Sequence, residues 1–273
     1  MFRYVARALE VLSRSTESRK TATSPKLLNP TMDNQYAYLL VNLGCIAIPF
    51  LFSFEHRISF YKKWKAFFPA AFITLAFFVI WDIIFTDMGI WGFNPVYLTG
   101  IEIANLPIEE WLFFICIPYA CTFTYEAFRL YFKKPPFGKA TKIILWAIVF
   151  LNVMLALLNY GIWYTFFTNL FTALFLLILL LWIRPKFMGW ALLTYFVITI
   201  PFLISNGVLT GLDFWNYALI NTDVNDIYDQ IVWYNNAHNL GVRIFSIPVD
   251  DFIYGFLLIV MNIVLYEAFL KRQ

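Results

Sequence analysis

Charge is what this 273-residue sequence has least of. Asp, Glu, Lys and Arg make up 14% of it, against 61% hydrophobic residues and a mean hydropathy of +0.69. A soluble globule of this length needs about 25% charged residues to cover its surface, so a soluble enzyme or a nucleic-acid-binding module is excluded. Cysteine is nearly as scarce. Cys45, Cys116 and Cys121 all fall within apolar runs and read as small buried hydrophobes that carry no information on disulfides. With two histidines, His56 and His238, and no Cys/His cluster, no metal site is expected. The sequence has no G-x-G-x-x-G, which removes the usual dinucleotide cradle, and no cofactor is expected. The last apolar run has no lysine before Lys271, which excludes a retinal Schiff base within it.

Long apolar runs are what the sequence has instead. A membrane-crossing helix needs about 20 mostly apolar residues, and seven stretches qualify, at roughly 35-54, 66-86, 107-128, 143-160, 162-182, 187-209 and 248-270. The expected fold is therefore an all-α polytopic membrane protein with seven transmembrane helices. Basic residues set its orientation. Arg57, Lys62, Lys63, Lys65, Arg129, Lys133, Lys134, Lys139, Lys142, Arg184, Lys186, Lys271 and Arg272 belong to one side, whereas the opposite loops hold only Arg243. This places the C-terminus in the cytoplasm and the protein in the cell membrane. Six more basic residues, Arg3, Arg7, Arg14, Arg19, Lys20 and Lys26, precede Met32 and conflict with that orientation. Residues 1-32 also read as a disordered extension by composition, so the expected translation start is Met32. N-terminal sequencing of the native protein checks this.

Sliding the sequence on itself by 141 positions aligns residues 93-128 with 234-269 without a gap. Asn94 meets Asn235, Pro107 meets Pro248, and Tyr125-Glu126-Ala127-Phe128 meets Tyr266-Glu267-Ala268-Phe269. Two parallel three-helix repeats are expected, at 33-130 and 161-273, with a connector helix at 143-160 that gives both copies the same orientation.

Each copy opens its third helix with a proline and two acids: Pro107-Ile108-Glu109-Glu110 and Pro248-Val249-Asp250-Asp251. Any helix start favours proline and first-turn carboxylates, which accounts for one such motif. Two copies beside hydrocarbon, where carboxylates are costly, are candidate functional sites. Neighbouring helix residues point about 100° apart, so one acid of each pair should face the bundle and the other the headgroups or loop. Asp82 and Asn206 lie at the same depth on other helices, and Asn94 and Asn235 follow in the loops. Asp82, Glu109, Glu110, Asp250 and Asp251, with only Arg243 near, cannot all be ionised. Part of them must be neutral acids, the form a proton donor requires. Trp91, Phe93, Trp111, Trp233 and Tyr234 flank these acids and offer ring faces to a carbocation. Glu126 and Glu267 read as interfacial ion pairs with Arg129 and Lys271. The stretch NDIYD at 225-229 has a weak likeness to the diphosphate motif of membrane prenyltransferases but reads more simply as a solvated loop.

The runs IWGFNPVYLTG, LPIEEWLFF with PYACTFTYE, and WYNNAHNLGVRIFSIPVDDFIY resemble the integral-membrane, non-flavoprotein lycopene cyclases, over about residues 33 to 270. Asp250 stands where the family's Pro-x-Glu-acid motif has Glu. The resemblance implies a redox-neutral isomerisation that begins with protonation of a linear carotene end. Glu110 or Glu109 would donate the proton, Asp250 and Asp251 would be alternative donors or acceptors, and Asp82 would set protonation. The aromatics, with Asn94, Asn206 and Asn235, would line the substrate site. Lycopene or a related carotene is the implied substrate, with membrane lipid and other carotenoid-pathway enzymes as partners. A carotenoid hydratase, a Mg²⁺-dependent prenyltransferase and a membrane scaffold are the competing readings.

Overall fold

The computed structural model describes residues 34-223 and 227-272. The N-terminal extension, the Met32 start, and Asn225 and Asp226 of NDIYD lie outside the described residues. Asp223 and Asp229 of that loop are exposed.

Among the described residues there are seven α-helices: α1 (Ala37–Phe52), α2 (Trp64–Asp87), α3 (Ile108–Tyr131), α4 (Ala140–Leu158), α5 (Trp163–Ile178), α6 (Met188–Thr210) and α7 (Val249–Leu270). α5 runs on through a π turn, Leu179–Ile183. Six of the seven are long and apolar enough to cross a membrane, so this is an all-α, multi-pass membrane protein. The exception is the helix within the expected run 35-54. α1 has 16 residues, which at 1.5 Å each span about 24 Å, short of the roughly 30 Å hydrocarbon core. The chain breaks at Ser53, whose hydroxyl donates to Pro49 O at 2.7 Å and lies 2.6 Å from the Tyr119 hydroxyl. Phe60 then turns back into the bundle, wholly buried against Tyr119 at a ring distance of 5.3 Å.

α1 packs on α3 and α5 on α7, while α2 crosses to α7 and α6 to α3. α4 lies outside, against α5. In lipid there is little hydrophobic drive between helices, so close packing and interhelical hydrogen bonds hold them together. Asn262 Nδ2 donates to Thr122 Oγ1 at 2.8 Å in mid-bundle. At the basic end, Tyr125 OH donates to Glu267 (2.7 Å) and Tyr266 OH to Glu126 (2.8 Å). Lys63 pairs with Glu126, and Arg129 pairs with Glu267 and lies 3.4 Å from Glu126. The expected partner of Glu267 is thus corrected. Lys271 is exposed, and Arg129 on the neighbouring helix takes its place because it lies between two buried carboxylates.

At the other end the loops form three short antiparallel ribbons. β1 (Trp91–Phe93) pairs with β4 (Val232–Tyr234), with Gly92 opposite Trp233. A Cβ on Gly92 would meet the Trp233 ring at 2.4 Å, so only glycine fits there. β2 (Glu102–Ile103) pairs with β3 (Leu106–Pro107), and β5 (Arg243–Ile244) with β6 (Ile247–Pro248), in the same register 141 residues later. Asn94 N donates to Ile231 O and Asn235 N to Ile90 O, both at 2.8 Å.

Candidate active site

Each tight hairpin delivers the chain into a helix through a proline in extended conformation, Pro107 before α3 and Pro248 before α7. The Ile108 N–H donates to Ile101 O and the Val249 N–H to Val242 O, which fixes the helix start. The first acid of each pair then turns back on its own hairpin. Glu109 Oε1 accepts from Thr99 N at 2.8 Å, and Asp250 accepts from Leu240 N at 3.1 Å and Thr165 Oγ1 at 2.6 Å. The second acid lies about 100° further round and points into the bundle. Glu110 and Asp251 line one cavity between the helices, together with Asp82.

The cavity walls are aromatic, from Trp91, Phe93, Phe113, Tyr164, Tyr234 and Tyr254. Trp91 meets Tyr164 edge-on at 5.0 Å, and Tyr164 stacks on Tyr234 at 5.8 Å. Phe202, Leu209, Leu258 and Ile259 complete an apolar lining.

The carboxyls on the two sides have different surroundings. Glu110 Oε2 accepts from Tyr38 OH, and Asp82 lines the same cavity. Two buried carboxyls in one cavity whose lining has no Lys or Arg disfavour double ionisation, which suits a retained proton. Asp82 Oδ1 also accepts from Tyr254 OH at 3.0 Å. Asp251 instead faces three donors: Tyr164 OH at 2.6 Å, Asn206 Nδ2 at 2.7 Å and Tyr234 OH at 2.9 Å. Three donors fill most of a carboxylate's acceptor capacity and suit the ionised form. Burial and the negative Asp251 push the Tyr234 hydroxyl well above its ordinary range, so it serves as a donor. Behind it, Arg243 is 1% exposed, with its guanidinium over the Tyr234 ring at 5.6 Å. It donates to Ser246 O at 2.7 Å and Asn236 Oδ1 at 2.9 Å. The residue 141 positions earlier is Glu102, which is exposed, so this cation has no counterpart in the first half.

The family model for lycopene cyclase matches residues 35–128 and 159–269. The chain belongs to the lycopene cyclase family. No curated protein and no solved structure matches it. Membership in the lycopene cyclases implies cyclisation of lycopene in carotenoid biosynthesis. The match omits residues 129–158, where α4 stands away from the cavity.

Of the residues singled out from sequence, Asp82, Glu110, Asp251, Asn206, Trp91, Phe93 and Tyr234 meet around this cavity. Glu109 and Asp250 do not line it, nor do they face headgroups; both are buried against loop backbone. Asn94 Oδ1 accepts from Val96 N at 3.2 Å and Asn235 Oδ1 from Ala237 N at 3.1 Å, so both hold turns. Trp111 Nε1 donates to Ile103 O, and Trp233 covers Gly92. The cavity is also lined by Tyr38, Tyr164 and Tyr254, which sequence reasoning missed. Tyr38 and Tyr164 each sit at the start of a helix outside the gapless 141-residue match, so only a gapped comparison would have paired them. Arg243 is the lone cation of the loops at the cavity end, and that loneliness is the available sequence signal of its burial.

Among the described residues, no group of three or more His, Cys, Asp or Glu could hold a metal ion.

Proposed function

We propose that the protein closes the linear ends of lycopene to β-rings by an acid-initiated, redox-neutral cyclisation, giving γ-carotene or β-carotene. The observation that carries this reading is the placing of the Asp82 and Glu110 carboxyls in one aromatic cavity with the multiply donated Asp251. Glu110 gives its proton to the terminal double bond. The tertiary cation is attacked by the neighbouring double bond, a six-membered ring closes, and Asp251 takes the ring proton. Trp91, Tyr254 and Tyr234 offer negative ring faces to the cation, and the apolar wall keeps out the water that would trap it as an alcohol. Glu109 and Asp250 hold the hairpins that aim their neighbours.

The chain is read as two parallel three-helix repeats, 33-130 and 161-273, joined by α4. The recurrence of hairpin register, helix-start bonds and acid latches at a spacing of 141 residues supports this. Because only one side carries the carboxyl pair and only the other the buried Arg243, the repeats form one shared site with divided roles. The thirteen basic residues gathered at the end opposite the cavity support a cytoplasmic C-terminus in the cell membrane.

The test is expression in a host that accumulates lycopene, with the extracted carotenoids resolved by chromatography and mass. A cyclised product of unchanged mass is expected. Unchanged lycopene, despite verified membrane expression, would refute the assignment, and a product heavier by one water would reassign the protein as a hydratase.

A further inference from the structure

Thirteen basic residues at one end are enough to orient a membrane protein, but five of them do something more local. Lys134, Lys139, Lys142, Arg184 and Lys186 surround a single cavity of about 700 Å³ between the first turns of α4, the π turn that ends α5 and the start of α6. Its floor is apolar, formed by Leu145, Leu179, Leu180 and Met188, and its lining includes no acid. The four lysines are exposed, and among the described residues none is paired with a carboxylate.

The rim is held in place by its backbone. A Cβ on Gly189 would meet Pro136 O at 2.4 Å, so the 132–139 loop lies directly on α6, and Thr141 Oγ1 donates to Pro136 O. Arg184, in left-handed conformation at the end of the π turn, donates its Nε to Leu181 O at 3.0 Å, leaving its outer nitrogens for the cavity. π turns within helices often mark functional positions.

A wedge at the bundle end that is apolar beneath and cationic around its mouth matches an amphiphile with an anionic head and acyl tails. We propose that it binds one anionic phospholipid, with the phosphate among the lysines and an acyl chain along Leu145, Leu179 and Leu180. Basic pockets between helices at the membrane surface take such headgroups. The apolar floor favours a lipid over free phosphate, which would leave it uncovered. This site is at the far end of the bundle from the carboxyl cavity and does not depend on the proposed reaction.

Native mass spectrometry of the full chain, released from micelles containing phosphatidylglycerol, tests it. The triple variant Lys139→Gln, Lys142→Gln, Lys186→Gln is compared with the control Arg57→Gln, Lys62→Gln, Lys271→Gln, which removes the same charge at the same end away from the cavity. Wild type and control should retain a phosphatidylglycerol adduct, and the cavity variant should bind at least roughly tenfold more weakly, each lost lysine contributing. Equal retention by cavity variant and control overturns the proposal. So does displacement of the lipid by an equal concentration of glycerol phosphate, because the floor would then contribute nothing. Thermal unfolding in detergent shows whether the cavity variant is folded. Should it not be, Leu145→Lys with Leu180→Lys, which places charge where the acyl chain lies, must lose the adduct.

Discussion

Glu109 and Glu110 are adjacent, chemically identical and both buried, yet their surroundings differ, so replacing each in turn is the sharpest test of the proposed roles. Glu110→Gln preserves shape and leaves an amide oxygen to accept from Tyr38 OH. One hydrogen bond changes character, worth about 0.5–1.5 kcal/mol of stability. What is removed is the transferable proton. A positioned general acid contributes about 10²–10⁴ in rate, or roughly 2.7–5.4 kcal/mol of barrier at about 1.36 kcal/mol per decade. Asp82 remains nearby, so the residual activity should lie within that range and not at zero. Glu109→Gln retains the oxygen that accepts from Thr99 N at 2.8 Å and should reduce cyclisation by less than about tenfold. Glu109→Ala strips that N–H of its partner and should destabilise the protein by about 1–3 kcal/mol. The assay is conversion of lycopene in accumulating cells, normalised to membrane-inserted protein, with thermal unfolding in detergent as the stability readout. Full turnover by Glu110→Gln alongside an inactive Glu109→Gln would refute the division of roles.

Three further outcomes follow from the geometry. Asp251→Asn removes the anion and sets its own NH₂ against that of Asn206 and two tyrosine hydroxyls; lycopene conversion should fall by on the order of a hundredfold, and an unaffected rate would remove Asp251 as proton acceptor. Gly255 borders the cavity with nothing closer to a Cβ than Phe202 at 3.9 Å, whereas Phe114, 141 positions earlier, is wholly buried and stacked on Phe78. Gly255→Ala should therefore retain turnover while Gly255→Phe closes the space between α6 and α7 and blocks it; wild-type product from the Phe variant would show that the end group does not lie there. At the basic end, Tyr125→Phe and Tyr266→Phe each delete a hydrogen bond to a buried carboxylate, worth about 1.5–3 kcal/mol. Both tyrosines are linked through Arg129, so the double variant should lose less than the sum of the two, as measured by thermal unfolding.

Helix count and the acid pairs were legible in the sequence because both rest on strong one-dimensional signals, length of apolar run and a repeated Pro-x-acid-acid. The shortness of α1 was not, since Ser53-Phe54 extends the run without a charge and only the Ser53–Tyr119 contact shows the break. Likewise, which acid of each pair faces the cavity depends on the hairpin that starts the helix, and adjacency in sequence leaves both orientations open. Asn94 and Asn235 illustrate the opposite error. Their recurrence at 141 residues reflects the demands of a turn, and repetition alone does not distinguish a turn from a binding contact.

α4 and the loop before it line no part of the carboxyl cavity. The covalent link between residues 131 and 163 therefore adds no group to the site; its contribution is effective concentration. A chain cut in that loop would still hold every cavity side chain in one fragment or the other, with the β1–β4 ribbon and the Tyr125–Glu267 and Tyr266–Glu126 bonds left to join them. Activity in such a split protein would become a question of encounter in the plane of the membrane, rising with the product of the two fragments' densities, while the chemistry at each assembled site stayed the same.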